Sequence, residues 1–137
     1  MNLPRFLAHS SPDLSKADHQ RLDEHSLSVG LVAGENAAHF DARQLATASG
    51  LLHDLGKYCV PFQKKLAGEK LQVNHSTWGA KIALEHYRDA GWLLAYGIAG
   101  HHAGLANGRG YDGQRSALAQ RLQDASLPPL EDAWKQE

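Results

Sequence analysis

Little in this chain speaks for a disulfide framework, a membrane span or a nucleotide-driven motor. Cys59 is the single cysteine among 137 residues, which excludes an internal disulfide and fits a reducing compartment. No apolar run approaches the roughly 18 residues that cross a bilayer. The N-terminus, Met1 to His9, holds no apolar stretch long enough for a signal peptide. The chain therefore reads as cytoplasmic, with no membrane partner. Charge of one sign is also lacking. The formal net charge is -1, so no global basic field attracts nucleic acid, and any contact with DNA or RNA rests on a local patch or on metal–phosphate contacts. A phosphate-binding loop fails on spacing. Five residues separate Gly50 from Gly56 where four are required, and Tyr58 stands where Ser or Thr is needed. That excludes an ATP site and a motor domain built on this motif. No internal repeat and no low-complexity tract is present.

Histidine, by contrast, is plentiful. The chain has nine, at positions 9, 19, 25, 39, 53, 75, 86, 101 and 102. A length of 137 residues with 42% hydrophobic content is that of one domain, 1–137. Such a chain buries roughly two-thirds of its unfolded surface, enough for one core.

Every element that the sequence specifies is helical. Residues 1–20 are irregular, with Pro4, Ser10, Ser11, Pro12 and Asp13 as turn-formers, and His9 and His19 read as surface residues. A helix is predicted over about 20–38, with Leu22, His25, Val29, Val32 and Asn36 on one face. Asp41 and Gln44 form a capping-box variant for the next helix, which buries Leu45, Ala48 and Leu52 and ends at His53 and Asp54. A short helix with Lys64 and Lys65 on a basic face follows Pro61. Asn74 caps a helix from His75 to about Ala90, which Gly91 terminates. The most apolar stretch, Trp92 to Gly100, is predicted as a central buried helix leading into Gly100-His101-His102-Ala103-Gly104. A turn-rich loop over about 107–114 precedes a last helix over about 115–125, and 126–137 reads as a polar tail. Arg109, Tyr111 and Arg115 are placed to meet phosphates or bases.

The chemistry is concentrated in Leu51-Leu52-His53-Asp54-Leu55-Gly56-Lys57. An aspartate inside an apolar run costs several kcal/mol, on the order of a buried unpaired charge, unless a cation compensates it. His25, His53, Asp54, His75, His101 and His102 come from four helical regions, mostly at helix ends or on apolar faces. Five imidazoles and one carboxylate suit divalent transition metals, and six ligands exceed what one ion takes from protein. Two ions sharing Asp54 would use them all, and paired metals are a known solution for phosphoester hydrolysis. Lys57 follows Asp54 by three residues and can face the same pocket.

The order His, then His-Asp-x-Gly-Lys, then His, then His-His resembles the HD phosphohydrolase superfamily. Ala8-His9-Ser10, Glu24-His25-Ser26, Leu52-His53-Asp54-Leu55-Gly56-Lys57, Asn74-His75-Ser76 and Gly100-His101-His102-Ala103-Gly104-Leu105 are similar to one branch, the HD nuclease domain of the CRISPR-associated type I nuclease-helicase. The resemblance covers about residues 8–125. It implies an all-α, single-domain helical bundle, with His25, His53, Asp54, His75, His101 and His102 as metal ligands. Asp54 and Lys57 would be catalytic, with Lys57 stabilising phosphate charge. One or two divalent ions (Mn, Ni, Co, Fe, Zn or Mg) are implied. So are single-stranded DNA as substrate, and a helicase subunit or domain and an RNA-guided surveillance complex as partners. The family carries a further aspartate ligand on a later helix. Only Asp112, Asp124 and Asp132 follow the double histidine here, none in the matching context, so the chain reads as a truncated or miniature version with one weakened metal position. The alternatives are an HD phosphohydrolase acting on nucleotides, and a non-catalytic metal- or protein-binding module.

Overall fold

The computed structural model describes residues 6–10, 19–107 and 117–136. Arg109, Tyr111, Asp112 and Arg115 lie outside the described residues. The α-helices are α1 (Leu22–Ala37), α2 (Arg43–Leu52), α3 (Val60–Leu66), α4 (Ser76–Gly100) and α5 (Leu118–Leu122), with 3-10 turns at Ala38–Phe40, Leu55–Lys57 and Asp132–Lys135. Among the described residues there is no strand, only an isolated antiparallel bridge between Leu7 and Arg21. The all-α architecture is thus as expected, and none of these helices is long and apolar enough to cross a membrane.

α1 and α2 form an antiparallel pair that packs backbone on backbone. α1 buries Leu22, Ser26, Gly30, Gly34 and Ala37, while Val32, on the expected face, is 56% exposed. The difference has a steric cause. A Cβ on Gly50 would lie 2.6 Å from the Cα of Gly30, so the two helices meet through their smallest residues. Larger side chains are displaced to the rim of that contact. The close approach brings the start of α1, with His25, beside the end of α2, with His53. Asp41 does not cap α2. It adopts φ 58° after the 3-10 turn, a left-handed conformation that aspartate tolerates better than most residues. The N-cap of α2 is Ala42, without a side-chain bond.

α4 is two helical segments broken at Arg88, whose φ of 48° and ψ of -115° are non-helical. The break falls three residues before Gly91, the expected terminator. Gly91 is instead a contact residue: a Cβ there would lie 2.8 Å from the Cα of Leu84. Gly79 lies against the end of α2, where a Cβ would overlap the Leu52 carbonyl oxygen, with the Ile98 side chain next at 3.0 Å. The two halves therefore fold back on each other, and Ala80, Ala83, Leu94, Ala95, Ile98 and Ala99 join Ala48 and Leu118 in one buried cluster. Each large side chain fully buried there contributes roughly 1.5–3 kcal/mol. Only one side of the 92–100 segment is covered, since Trp92 and Leu93 are 48% and 66% exposed. The hairpin has one functional consequence: its first residue neighbours His75 and its last neighbours His101, so both histidines arrive at the same end of the bundle.

The described part of the expected polar tail is docked. Trp78 donates its indole N–H to the Pro128 carbonyl at 2.7 Å, the Glu131 amide donates to the Tyr58 carbonyl at 2.7 Å, and Leu130, Ala133 and Trp134 pack on a second cluster with Phe6, Leu22, Leu55, Tyr58 and Ile82.

Candidate metal centre

Asp54 sits at the junction of these elements, between α2 and the 3-10 turn, and is 2% exposed. Its two oxygens face different partners. Oδ2 lies 2.6 Å from Lys57 Nζ, 3.1 Å from His53 Nε2 and 3.2 Å from His25 Nε2. Oδ1 lies 3.5 Å from both His75 Nε2 and His101 Nε2. His102 lies tilted against His101 with ring centroids 4.0 Å apart, and edge-on to His75 at 4.7 Å. Two groups of ligand atoms result, each within 4.8 Å of one another: Asp54, His75, His101 and His102, and His25, His53 and Asp54. All six residues singled out from the sequence as ligands converge, and Asp54 belongs to both groups. Asp124 and Asp132 do not join them. Asp124 accepts from the Ser126 amide and hydroxyl at 2.9 and 2.6 Å, and Asp132 pairs with Lys135 at 2.9 Å.

The imidazole tautomers decide what this arrangement is for. Nδ1 of His53 donates to the Gly50 carbonyl at 2.7 Å, and Nδ1 of His101 donates to the Ile98 carbonyl at 2.7 Å. With Nδ1 protonated, a neutral ring turns the Nε2 lone pair toward the Asp54 carboxylate. Acceptor then faces acceptor in a buried place. That is unfavourable unless a proton or a cation lies between them. A carbonyl on one ring nitrogen and a metal on the other is also the usual surrounding of a histidine ligand. His25 Nε2, Asp54 Oδ1 and both ring nitrogens of His75 are buried without a hydrogen-bond partner. These atoms fit a divalent cation, and the donor set is nitrogen-rich, as first-row transition metals prefer.

Charge follows the same pattern. Burial pushes the Asp54 carboxyl up, but the His101 and His53 imidazoles and the Lys57 ammonium outweigh it, and its pKa lies far below the usual carboxylate range. Burial pushes His75 down to about 4. Burial also lowers His25 and His102. His101 moves the other way, raised by its contact with Asp54 against the opposing effect of burial. Histidine ligands must be neutral to take a metal, and the raised His101 is the one at which a proton competes with the ion, so affinity should rise with pH as that proton is lost. Calorimetry of Mn²⁺ binding, in buffers of different ionisation enthalpy from about pH 6 to about pH 8, counts those protons. Proton release should be largest at the acid end. Proton-neutral binding throughout would mean that His101 holds no proton for the metal to displace.

Lys57 is 4% exposed. Its ammonium is spent on Asp54 and on the Ala8 carbonyl at 2.9 Å, so in this structure it compensates the carboxylate rather than facing open space. Sequence reasoning missed four supporting groups. The Gly50 and Ile98 carbonyls both lie three residues before their histidine, a spacing that was readable once the helix ends were known. Gln20 Oε1, 3.2 Å from His25 Nδ1, orients that ring. Gln63, considered below with His9, carried no signal at all.

A family model described as HD domain matches residues 22–128 of the chain. Among curated proteins no match was found.

Proposed function

The chain belongs to the HD domain family, and on that footing we propose that it is a metal-dependent nuclease that hydrolyses phosphodiester bonds in single-stranded DNA. Its setting is CRISPR interference, beside a helicase subunit or domain and an RNA-guided surveillance complex. The family and the His/Asp cluster together point to a metal-dependent phosphohydrolase. The finer reading rests on the motif order and on the branch-like Ala8-His9-Ser10 and His101-His102-Ala103-Gly104-Leu105 segments.

The observation that carries the proposal is the ring of Nε2 atoms turned on the Asp54 carboxylate, with two of the rings locked by main-chain carbonyls. Asp54, His75, His101 and His102 would hold one ion, and His25, His53 and Asp54 a second. Divalent ions held there would supply Lewis-acid charge for a phosphoryl group and would lower the pKa of a bound water. The protein supplies a fixed frame around a buried carboxylate. Asp54 is held ionised, Lys57 balances its charge, and the carbonyls of Gly50 and Ile98 keep the rings from rotating. A cavity of about 550 Å³ is lined by Asn74, Ser76, Ala103, Gln120 and Arg121 among others, which include the sequence neighbours of His75 and His102.

Purified protein with added Mn²⁺, Co²⁺ or Ni²⁺ should cut single-stranded DNA, be inhibited by chelator, and leave mononucleotides intact. Hydrolysis of nucleotides without cleavage of the polymer would replace this reading with a nucleotide phosphohydrolase. Neither activity, in protein shown to hold metal, would favour a binding module.

A further inference from the structure

Residues 6–9 form a strap whose placement is more tightly specified than an irregular N-terminal segment requires. All four backbone polar groups of Leu7 and Ala8 are bonded. The Leu7 amide donates to Gln63 Oε1 at 3.0 Å, and Gln63 Nε2 donates back to the Leu7 carbonyl at 3.1 Å. The Ala8 amide donates to the Gln20 carbonyl at 3.0 Å, and Lys57 donates to the Ala8 carbonyl at 2.9 Å. Gln63 Nε2 also donates to the Lys57 carbonyl at 3.0 Å, tying the strap to the turn that follows Asp54. Phe6 and Ala8 are 6% and 1% exposed, so a slip of one residue would drive His9 into the space that Ala8 fills.

The next residue out of this clamp is His9. Its ring is edge-on to His25 with centroids 4.8 Å apart, and its side chain is exposed. Burial lowers its pKa, and Lys57, Asp54 and His53 lie near enough to act on it. Yet among the described residues it belongs to neither group of metal-ligating atoms. An imidazole fixed beside the ligands, outside their set and open to solvent, faces whatever enters the site.

We propose that His9 is a substrate-contacting residue, donating an imidazole N–H to a phosphate oxygen of the substrate bound at the cluster, and that Gln63 is the positioning residue that holds it there. This rests on the phosphoester reading above.

The test uses the full chain loaded with Mn²⁺, titrated with thymidine 5′-monophosphate and separately with thymidine. His9→Ala should bind the monophosphate about tenfold more weakly, the loss expected for one hydrogen bond to a charged group. Thymidine binding and Mn²⁺ stoichiometry should be unchanged, and His9→Asn, which keeps an N–H donor, should recover part of the loss. Gln63→Leu should reproduce the loss, and adding His9→Ala to it should cost nothing further. Unchanged monophosphate affinity in His9→Ala would overturn the assignment. So would an equal loss for thymidine, a fall in bound Mn²⁺, or failure of the wild-type protein to bind the monophosphate. His9 is exposed, so His9→Ala remains informative even if Gln63→Leu does not fold. Wild-type protein that binds the monophosphate with this His9 dependence but cuts no DNA would reject the nuclease reading and leave the His9 contact standing.

Discussion

Asp54→Asn should abolish metal binding and hydrolysis and should also lower stability. The carboxylate is the only one in either ligand group among the described residues. Outer-shell changes at metal sites already cost about 10- to 100-fold, so loss of the shared ligand should exceed about a hundredfold in activity. The stability effect comes from Lys57. Both side chains are nearly fully buried, and removing one partner of a buried ion pair typically costs about 3–5 kcal/mol because the other charge is left unpaired. Asp54→Ala is therefore a poor inactive control, because it also removes the acceptor that Asn retains. Combining Asp54→Asn with Lys57→Met should return much of the lost stability while metal binding stays absent, which separates the two effects. Denaturant unfolding of the single and double variants, with metal content measured on each, checks this. If the double variant is no more stable than Asp54→Asn alone, Lys57 does not owe its burial to Asp54.

Gly56→Ala should be nearly as damaging, although Gly56 contributes no ligand atom. Its amide donates to the His75 carbonyl at 3.1 Å, and a Cβ at this position would overlap that same carbonyl oxygen. The start of α4 therefore rests directly on the turn after Asp54. A methyl group must push α4 away and carry His75 Nε2 from its place 3.5 Å from Asp54 Oδ1. Overpacking of this kind costs about 1–3 kcal/mol. The Asp54, His75, His101 and His102 group should lose its ion, while the group with His25 and His53, built on α1 and α2, should be less affected. Mn²⁺ stoichiometry alongside denaturant unfolding reads both effects. Full stoichiometry in Gly56→Ala would mean that the contact is not what sets His75.

The sequence disclosed the members of the cluster because their setting is unusual: a carboxylate inside Leu51 to Leu55, and paired histidines between glycines after an apolar helix. It disclosed much less of how they are brought together. Of the expected face of α1, Leu22 is buried and His25 and Val29 are half-buried, but Val32 and Asn36 are exposed, because close helix contact selects Gly30 and Gly34 instead. The α4 turn was expected at Gly91 on glycine's reputation as a terminator. Arg88 takes the strained backbone instead, and Gly91 is needed for contact across the hairpin. Asp41 looked like a helix cap by spacing, but the preceding 3-10 turn places it one residue too early. Lys57 was expected to share the pocket of Asp54 and pairs with it, but its second partner, the Ala8 carbonyl, lies 49 residues away in sequence. Long-range partners of this kind, like those of Gln63, leave no local pattern to read.

The most direct test of the central claim, that the Asp54 cluster is a divalent metal centre, is an anomalous-scattering map from crystals of the full chain grown with Mn²⁺. The account predicts a strong peak within about 2.1–2.3 Å of Asp54 and the nearest imidazole nitrogens of His75 and His101. A second, weaker peak is predicted between Asp54, His25 and His53, where fewer protein ligands converge. Bound Mn²⁺ only at other places, with Asp54 contacted by nothing but Lys57 and protonated imidazoles, would contradict it.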